Sequence, residues 1–496
     1  MKKSGLRLRP GQKESSLLKP GWHIEKKSLD ARKKSDIHWV YSISDEPYAD
    51  CEAEYYNSLS SVGDRPLIVG FGPAGMFAAL LLARAGAKPI VLERGSDVET
   101  RKAAMDAFLS GGTLDTRNNA QFGEGGAGTF SDGKLNTGTH DGRIGFVLHE
   151  FCAHGAPESV AYDAKPHIGT DVLTVVVRNI REEILSLGGE IRFNTRLDSL
   201  IIEEGVLKGA VTHSGQTIAC SRLILAIGHS ARDTFEQLLA LNVPMERKAF
   251  SMGCRIEHLQ SDIDAAQYGS AAMRKKASLP AADYKLSHNG VYTFCMCPGG
   301  YVFPAASEKE AVCTNGMSYS GRAGENANSA VLVTLHPEDF PGEGVLAGMV
   351  WQREIESRAY RLSGDYRATS QLAGDFLKNV PSTGPGKVRP TYLPSVRWGS
   401  LDEILPERIC SAIRAALPEF GNKLPGFDSP DAVLTAPETR SSSPVRILRG
   451  AEYESSIKGL YPCGEGAGYA GGITSAAVDG LRCAEAVLKS YIRFNL

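Results

Sequence analysis

Four basic side chains are the main candidates for chemistry in this 496-residue chain. His167 is one of them, because histidine can move protons near neutral pH. Lys134 follows a glycine-dense segment that would let backbone approach a flat ring. Arg440 and Arg446 have serines between them, and paired guanidinium donors suit a carboxylate or a phosphate. The structural alternatives are a histidine before a helix cap, an ordinary turn at Lys134 and a solvated loop for the arginines.

Cys295 and Cys297 raise the question of a redox pair. Residues two apart along a strand face the same side, but a disulfide between them would close a small, strained ring. Buried thiols are therefore the favoured interpretation, with Cys297 still able to reach a pocket. The ten cysteines are scattered along the chain, which is typical of free thiols in a reducing compartment. We therefore expect a cytoplasmic protein.

The elements that must position these side chains begin with a glycine turn between a short apolar strand and an Ala/Leu-rich helix. Gly70 permits the turn, Gly72 lets a pyrophosphate approach the main chain, and Gly75 lets the helix pack on the strand. Glu93 ends the next strand, where a carboxylate can accept both hydroxyls of an adenosine ribose. An ordinary βαβ unit is the alternative, which this acid disfavours. The residues predicted to hold an ADP group are Gly70, Gly72, Pro73, Ala74, Gly75, Glu93 and Arg94.

Two further segments match the same glycine pattern formally, at 123–128 and 466–471. Neither follows an apolar strand and opens a helix that leads to a second strand with an acid. Only the first match therefore predicts the ADP site. The segment 129–134 is expected to approach the ligand because of its glycine-rich lead-in, although Ser131–Gly133 is also typical of a turn.

A second glycine block near the carboxyl terminus distinguishes between the possible dinucleotides. Glu465 is placed at a strand end beside a final helix, whose first N–H groups can face the N1/C2=O edge of an isoalloxazine ring. NAD would need only the first unit, whereas FAD would use both. The sequence therefore predicts FAD. The further residues predicted to contact it are Gly128, Thr129, Gly228, Gly464, Glu465, Gly472, Ile473 and Thr474.

Changes in character along the chain predict four segments. Residues 1–60 form a small amino-terminal α+β domain, and residues 65–243 form the first part of an FAD-binding domain. Residues 244–436, with short strands, prolines and aromatics, form an inserted α+β domain, and residues 437–496 return to the FAD-binding fold. The fold class is α/β: a Rossmann-like domain with a β-meander, interrupted by the inserted domain.

Several motifs resemble those of the glutathione-reductase-type flavoprotein superfamily and, more closely, a family of bacterial FAD-dependent dehydrogenases and oxidoreductases. They lie at 28–34, 123–134, 165–171, 297–300, 315–318 and in the carboxyl-terminal glycine block. The resemblance implies a small amino-terminal domain and an FAD-dependent domain inserted into the nucleotide fold. It also implies that Glu465 contacts the pyrophosphate or ribitol, at a position where many superfamily members have Asp.

Charge and hydropathy exclude several classes of function. The 55 basic and 57 acidic residues give a net charge of −2, which provides no global field for nucleic acid or an anionic membrane. Residues 1–40 carry eleven Lys/Arg against four Asp/Glu, so a basic arm for RNA stays open beside the favoured solvated face. No apolar run is long enough to span a membrane, and the amino terminus lacks a secretory signal.

The sequence therefore predicts an FAD-dependent oxidoreductase that transfers a hydride between flavin and a small molecule, which is anionic if the arginines bind it. No metal is expected. NAD(P)H is expected only as a transient electron donor, because no second nucleotide unit with its own acid is visible. The alternatives are a flavin reductase of isoprenoid-like alkenes and an RNA-associated flavoprotein. Substrate, direction of transfer and oligomeric state are left open.

Overall fold

A computed structural model describes residues 1–46 and 64–494 of the chain. The amino-terminal unit is a three-stranded antiparallel sheet with the strand order β1-β3-β2. Its strands are β1 (Lys2–Leu8), β2 (His23–Asp30) and β3 (His38–Ser44). Residues 1–46 contain no α-helix, only a short 3₁₀ turn, so the predicted α+β character of this unit is wrong for its described part. The predicted acidic connection after it falls largely outside the described residues.

The next part of the chain contains the predicted glycine turn and the meander. In chain order its elements are β4 (Leu67–Val69), α1 (Pro73–Arg84), β5 (Ile90–Leu92), α2 (Val98–Leu109), α3 (Arg143–Ala153), α4 (Thr170–Ser186), β6 (Glu190–Arg192), β7 (Leu197–Glu203), β8 (Val206–Thr212), β9 (Thr217–Ala219), β10 (Leu223–Leu225) and α5 (Arg232–Ala240). Helix α1 is apolar on every side, and it is buried from Ala74 to Ala83. An all-apolar helix of this kind belongs inside a domain.

The chain then forms a second unit, in which helices pack on a larger sheet and short strands pair outside it. Its elements are β11 (Met245–Arg247), β12 (Phe250–Leu259), α6 (Gln260–Tyr268), α7 (Ala271–Lys276), β13 (Ser287–His288), β14 (Val291–Cys297), β15 (Tyr301–Pro304), β16 (Thr314–Met317), β17 (Asn326–Leu335), α8 (Ala347–Ser363), β18 (Ala368–Leu372), α9 (Ala373–Leu377), β19 (Val396–Trp398), α10 (Glu407–Lys423) and β20 (Val433–Glu438). The chain returns through β21 (Val445–Ile447), β22 (Leu460–Pro462) and α11 (Ile473–Phe494).

Strand pairing shows how the two large sheets are connected. A five-stranded parallel sheet has the order β22-β10-β4-β5-β6, so the carboxyl-terminal strand β22 joins the sheet of the glycine turn. A seven-stranded sheet has the order β13-β14-β17-β12-β20-β18-β19. Where the chain leaves the first sheet and returns to it, β11 and β21 pair antiparallel. Everything between these two strands is therefore an insertion in the parallel-sheet fold.

The sheets bury separate apolar cores, and the amino-terminal sheet is attached to one of them. Leu29, Ala31 and Ile37 pack against the core of the seven-stranded sheet. The backbone N–H of Lys27 also donates to the carbonyl of Tyr162 at 2.8 Å, and Tyr162 lies between α3 and α4 in the unit of the parallel sheet. The small sheet thus contacts both larger units. Within the described residues, no helix has the length and apolar character needed to cross a bilayer.

Candidate active site and cofactor cleft

One large cavity lies where the parallel sheet, the inserted domain and the amino-terminal sheet meet. Its volume is about 1210 Å³, above the roughly 300–1,000 Å³ of most small-molecule sites. The wall includes the first glycine turn, the run Gly126–Gly128, the start of α11 and residues of the inserted domain. Lys27, Leu29 and Trp39 of the amino-terminal sheet complete it. The cavity has room for a dinucleotide together with a second molecule.

The first glycine turn has the tight geometry that its spacing predicts. Gly70 has a φ of +98°, and a Cβ on it would lie 2.3 Å from the Ala226 carbonyl oxygen. A Cβ on Gly75 would lie 1.9 Å from the Gly70 oxygen, so only glycine lets α1 approach β4 this closely. Gly72 differs, because the nearest atom to its Cβ would be the Gly126 Cα at 3.6 Å. The bare face of Gly72 therefore borders the cavity and leaves space there for a ligand.

The second glycine run forms the facing wall of this space. The Gly125 N–H donates to the Phe71 carbonyl at 2.8 Å, which ties the run to the first turn. A Cβ on Gly126 would lie 2.9 Å from the Gly72 Cα. Gly128 also lines the cavity. Thr129 is not part of the cavity lining; it is buried, and its hydroxyl donates to the Glu124 carbonyl.

Glu93 lies in the wall beside the glycine turn, and backbone donors hold both of its carboxylate oxygens. Its Oε2 accepts from the Phe71 N–H at 2.9 Å. Its Oε1 accepts from the N–H groups of Gly95 and Gly123, each at 2.9 Å. An oxygen with two donors has little capacity left for a third. Glu93 therefore organises three loops, and Oε2 keeps the free acceptor capacity for one hydroxyl.

Arg94 also lines the cavity, and its guanidinium is already engaged. It donates to Asp233 at 2.8 Å and to the Thr234 hydroxyl at 3.0 Å. Its guanidinium carbon lies 4.3 Å from the centre of the Phe122 ring. These contacts fix the position of the Arg94 guanidinium in the cavity wall.

The carboxyl-terminal glycine block lies on the same cavity. Gly464, Glu465, Gly472 and Ile473 are in its wall, and α11 begins at Ile473. The first N–H groups of a helix have no acceptor within the helix, so this end can bind an electron-rich group. Thr474 is buried instead, and its hydroxyl donates to the Leu135 carbonyl at 2.6 Å.

Gly228 and His229 lie opposite Glu465. Gly228 lines the cavity with a φ of +70°, and a Cβ there would meet no atom within 4 Å. The Nδ1 atom of His229 lies 3.4 Å from the Glu465 carboxylate. The other ring nitrogen of His229 is buried without a hydrogen-bond partner. His229 was not predicted from the sequence.

These features fit an FAD molecule. Gly72 and Gly126 form a backbone cradle that a side chain would fill, and the amino ends of α1 and α11 both border the cavity. A diphosphate suits a helix amino terminus beside a glycine turn. The residues positioned to hold FAD are therefore the two glycine segments, Glu93 and the start of α11.

A charged cluster occupies another part of the cavity wall. Asp132 is fully buried and accepts a hydrogen bond from Arg322 at 2.9 Å and another from the Ser318 hydroxyl. The Lys134 ammonium lies 3.7 Å from Asp132, and it also donates to the Met296 carbonyl. Burial opposes the charged form of Asp132, but Lys134 and Arg322 hold its pKa below the usual value. Asp132 thus positions two cations in the wall.

His167, which the sequence predicts as a catalytic residue, also lies in this cluster. Its Nε2 lies 3.3 Å from the Ser318 hydroxyl and 3.8 Å from Asp132. Burial, followed by the charge of Arg322, lowers the pKa of His167 to about 4, although Asp132 opposes this shift. His167 is therefore neutral at pH 7 and able to accept a proton.

Arg322 is the residue of this cluster that was not predicted from the sequence. It follows the motif 315–318 in the chain, but no local pattern marks it as a partner of Asp132. Its Nε atom is buried and has no hydrogen-bond partner. Other atoms of Arg322 are in the cavity wall, where its guanidinium pairs with Asp132.

The predicted arginine pair needs correction, because Arg440 and Arg446 do not act together. Arg440 lines the cavity, but its guanidinium donates to Glu356 at 2.6 and 2.9 Å and to the hydroxyls of Ser230 and Ser307. Burial alone would raise the pKa of Glu356, yet the arginines around it lower that pKa strongly. Arg446 is not part of the lining, and it pairs with Glu246 at 3.3 Å. Arg440 therefore connects the domains, and Arg446 is a surface residue.

Comparison with known proteins agrees with this architecture. Residues 65–226 match the family described as FAD binding domain, and residues 249–441 match the family described as FAD-dependent protein, C-terminal domain-like. A protein of Clostridium beijerinckii (strain ATCC 51743 / NCIMB 8052), described as uncharacterized, is 47% identical over 494 residues. That similarity covers 94% of this chain and 92% of the relative.

Solved structures are much more distant. Glycine oxidase from Bacillus cereus is 11% identical, with a TM-score of 0.34 over 86% of this chain and 95% of the oxidase. A mutant of the halogenase PltM in complex with FAD is also 11% identical, with a TM-score of 0.43 over 87% of this chain and 70% of the halogenase. These similarities are too weak to assign a reaction. On the evidence of its two matched domains, the chain is an FAD-dependent oxidoreductase and belongs to the same family as the Clostridium beijerinckii protein.

Proposed function

We propose that the enzyme transfers a hydride between FAD and an anionic small molecule bound against Lys134 and Arg322. The observation that carries this proposal is the pair of cations, Lys134 and Arg322, that Asp132 holds in the wall of the cavity. The two cations share one carboxylate there, and a carboxylate or phosphate of the substrate would give them a second acceptor. Bound flavin supplies the hydride chemistry. The cluster thus replaces the predicted arginine pair as the anion site.

The charge of the whole cavity supports an anionic ligand. Its wall contains ten Lys/Arg and six Asp/Glu residues, whereas the complete chain has a net charge of −2. The diphosphate of FAD uses part of this positive potential. The remainder favours a second anion, since a cleft lined by one sign of charge concentrates ligands of the opposite sign.

The residues of the cluster have separate roles in this proposal. Arg322 and Lys134 bind and orient the substrate anion, while Asp132 holds both cations in place. His167 is neutral, so it can take the proton that leaves a substrate as its hydride is removed, or return that proton in the reverse direction. Ser318 connects His167 to Asp132.

We propose two further assignments. A transient NAD(P)H donor would have to use the same cavity as the substrate, because the cofactor end is suited to FAD. Membership of the glutathione-reductase-type flavoprotein superfamily is supported by the glycine turn, the meander and the strand order of the parallel sheet.

An anaerobic screen tests the proposed function. Small carboxylates and phosphate esters are mixed one by one with the oxidised holoenzyme, and flavin reduction is followed by absorbance. We expect one anionic class to reduce the flavin, and Arg322→Met to raise its apparent KM by roughly 100-fold, the scale of a lost charged hydrogen bond. Arg446→Met is the matched control, because that arginine lies outside the lining. An equal effect of both variants would contradict the assignment.

A flavin reductase of isoprenoid-like alkenes is the second candidate. Leu29, Trp39, Leu279 and Phe294 give part of the cavity wall an apolar and aromatic surface. An alkene chain would bury apolar area there. Reoxidation of reduced holoenzyme by a neutral isoprenoid alkene, with no dependence on Arg322, would favour this candidate over the anionic substrate.

A further inference from the structure

A smaller side cavity lies beside the cofactor cleft, where two domains meet. Its volume is about 400 Å³, within the roughly 300–1,000 Å³ of most small-molecule sites. Most of its wall comes from the FAD-binding fold, including Thr116, Arg117 and Arg232. The rest comes from residues 307–309 of the inserted domain. Because ligand sites form preferentially at domain junctions, this cavity is a candidate for a second ligand.

Arg94 and Phe122 form part of the walls of both the side cavity and the cofactor cleft. The Arg94 guanidinium stacks on the Phe122 ring and is fixed by a hydrogen bond to Asp233. Glu93 and Gly72, in contrast, line the cofactor cleft and are absent from the wall of the side cavity. The side cavity is therefore a neighbouring space and not a part of the backbone cradle.

Basic residues outnumber acidic ones in the wall of the side cavity. Five Lys/Arg residues and His213 face two acids, Asp233 and Glu308. Asp233 accepts a hydrogen bond from Arg94 at 2.8 Å and another from Arg196 at 3.2 Å. One carboxylate is thus shared by two arginines, which leaves positive charge over on this side of the cavity.

Glu308 is shared in the same way. It accepts from Arg353 at 2.9 Å and from Arg232, whose side chain is almost fully buried. Burial would raise the pKa of both Glu308 and Asp233, but the arginines hold each pKa below its ordinary value. Both acids are therefore ionised and already neutralised, so they leave the wall with a net positive charge.

Two further cations of the wall have no such acidic partner. The Arg117 side chain is 67% exposed, and its Nε lies 4.0 Å from Asp115, at the limit of an ion pair. Lys309 is exposed, and within the described part of the chain its ammonium has no ion-pair partner. Arg117 belongs to the FAD-binding fold and Lys309 to the inserted domain. An anion bound to both would connect the two domains.

We propose that the side cavity binds a phosphorylated small molecule, with Arg117 and Lys309 as ligands from the two domains. This site goes beyond the hydride transfer proposed above, and it requires neither Lys134 nor Arg322. A phosphate ester carries about two negative charges and three strong acceptor oxygens, so it can bond several cations at once. Arginine also offers the planar fork that suits phosphate. The bound molecule would stabilise the domain junction beside the cofactor cleft.

Calorimetric titration of the FAD-saturated holoenzyme with inorganic pyrophosphate tests the site. FAD stays bound so that the probe cannot occupy the diphosphate position of the cofactor. We expect a binding site with a Kd below about 1 mM. The double variant Arg117→Met with Lys309→Met should weaken it at least about tenfold, the scale of a lost charged hydrogen bond. Lys208→Met with Lys378→Met is the matched control, because both lysines are exposed and lie outside both cavity walls.

Two further titrations distinguish the side cavity from other anion sites. The pyrophosphate site should persist in Arg322→Met, because Arg322 is not in its wall. Citrate should bind at least about tenfold more weakly than pyrophosphate, because its carboxylates offer fewer acceptor oxygens per group. The proposal would be overturned by an absence of binding to the holoenzyme, an equal loss in the control pair, a complete loss in Arg322→Met or equally tight citrate. Flavin reduction by an anionic substrate would survive each of these results, so the two proposals fail separately.

Lysine acetylation locates the probe by a second readout. Saturating pyrophosphate should slow the acetylation of Lys309 in the holoenzyme and leave that of Lys208 unchanged, since a bound anion would cover only the first amine. Mass spectrometry of the digested protein measures both rates. An unchanged rate at Lys309 would place pyrophosphate elsewhere and would also overturn the proposal.

Discussion

The two ends of the cavity are built in different ways. Around Gly72, Gly126 and the start of α11, the wall presents main-chain atoms, and the glycines matter because they have no side chain. Around Asp132 and Arg322 the wall presents charged side chains that bond one another. In the function proposed above, the first end holds FAD and the second end binds the molecule that reacts with it.

Because of this difference, the two ends of the cavity tolerate different substitutions. A backbone cradle is damaged by adding atoms, since any side chain fills the space meant for the ligand. A side-chain cluster is damaged by removing atoms, since a charge left without its partner in a buried site is costly. Substitutions that add atoms at one end and remove them at the other test this contrast.

The largest effect is expected for Gly72→Val. Its side chain would project into the space between the two glycine segments, so FAD affinity should fall by more than about 100-fold, or about 2.7 kcal/mol. FAD content after gel filtration and the Kd of the apoprotein for FAD measure this. Gly138→Val is the control, because Gly138 is exposed with open space around its Cβ position. Equal FAD loss in both variants would show that the cradle is not at Gly72.

Arg440→Met should destabilise the fold. The substitution leaves Glu356 buried with one strong partner fewer, and breaking such a buried ion pair costs about 3–5 kcal/mol. Thermal unfolding with excess FAD present would measure the loss. Arg446→Met, at a partly exposed ion pair, should change stability by no more than about 1 kcal/mol. Similar unfolding temperatures for the two variants would contradict the structural role of Arg440.

Glu93→Gln should weaken FAD binding by about 1–3 kcal/mol, the scale of hydrogen bonds to a charged group. The loss has two sources, because the carboxylate both faces the cavity and accepts three backbone N–H groups. Equilibrium titration of the apoprotein with FAD gives the value. Glu99→Gln, at an exposed site on α2, serves as the control. An unchanged Kd in the Glu93 variant would place the ribose elsewhere.

The pH dependence of flavin reduction should show a small effect of His167. Its folded pKa of about 4 is below the ordinary histidine value of 6.5, so the neutral form dominates above about pH 5. Rates should therefore stay level from neutral pH to about pH 5 and fall only as His167 becomes protonated near pH 4. Folding stability declines over a wider range, as the pH falls from about 6.5 to about 4, because the unfolded chain binds the proton first. A rate that halves near pH 6.5 would contradict this environment for His167.

The sequence predicted the glycine turn well because its information is local. The spacing of Gly70, Gly72 and Gly75 specifies a turn and a helix packed closely on a strand, and the structure has these contacts. The charged cluster could not be predicted in the same way. Asp132 and Arg322 are 190 positions apart, and only the inserted sheet brings them together. Arg440 and Arg446 were misjudged because their buried and exposed acidic partners lie in other segments.

The Kd for FAD of Arg322→Met, measured beside that of Gly72→Val, tests the division of the cavity most directly. The apoprotein of each variant is titrated with FAD under the same conditions. We expect an FAD affinity within about threefold of wild type for Arg322→Met, less than about 0.7 kcal/mol, against a loss of more than about 100-fold for Gly72→Val. A comparable loss in both variants would contradict it, because the charged cluster would then belong to the cofactor site.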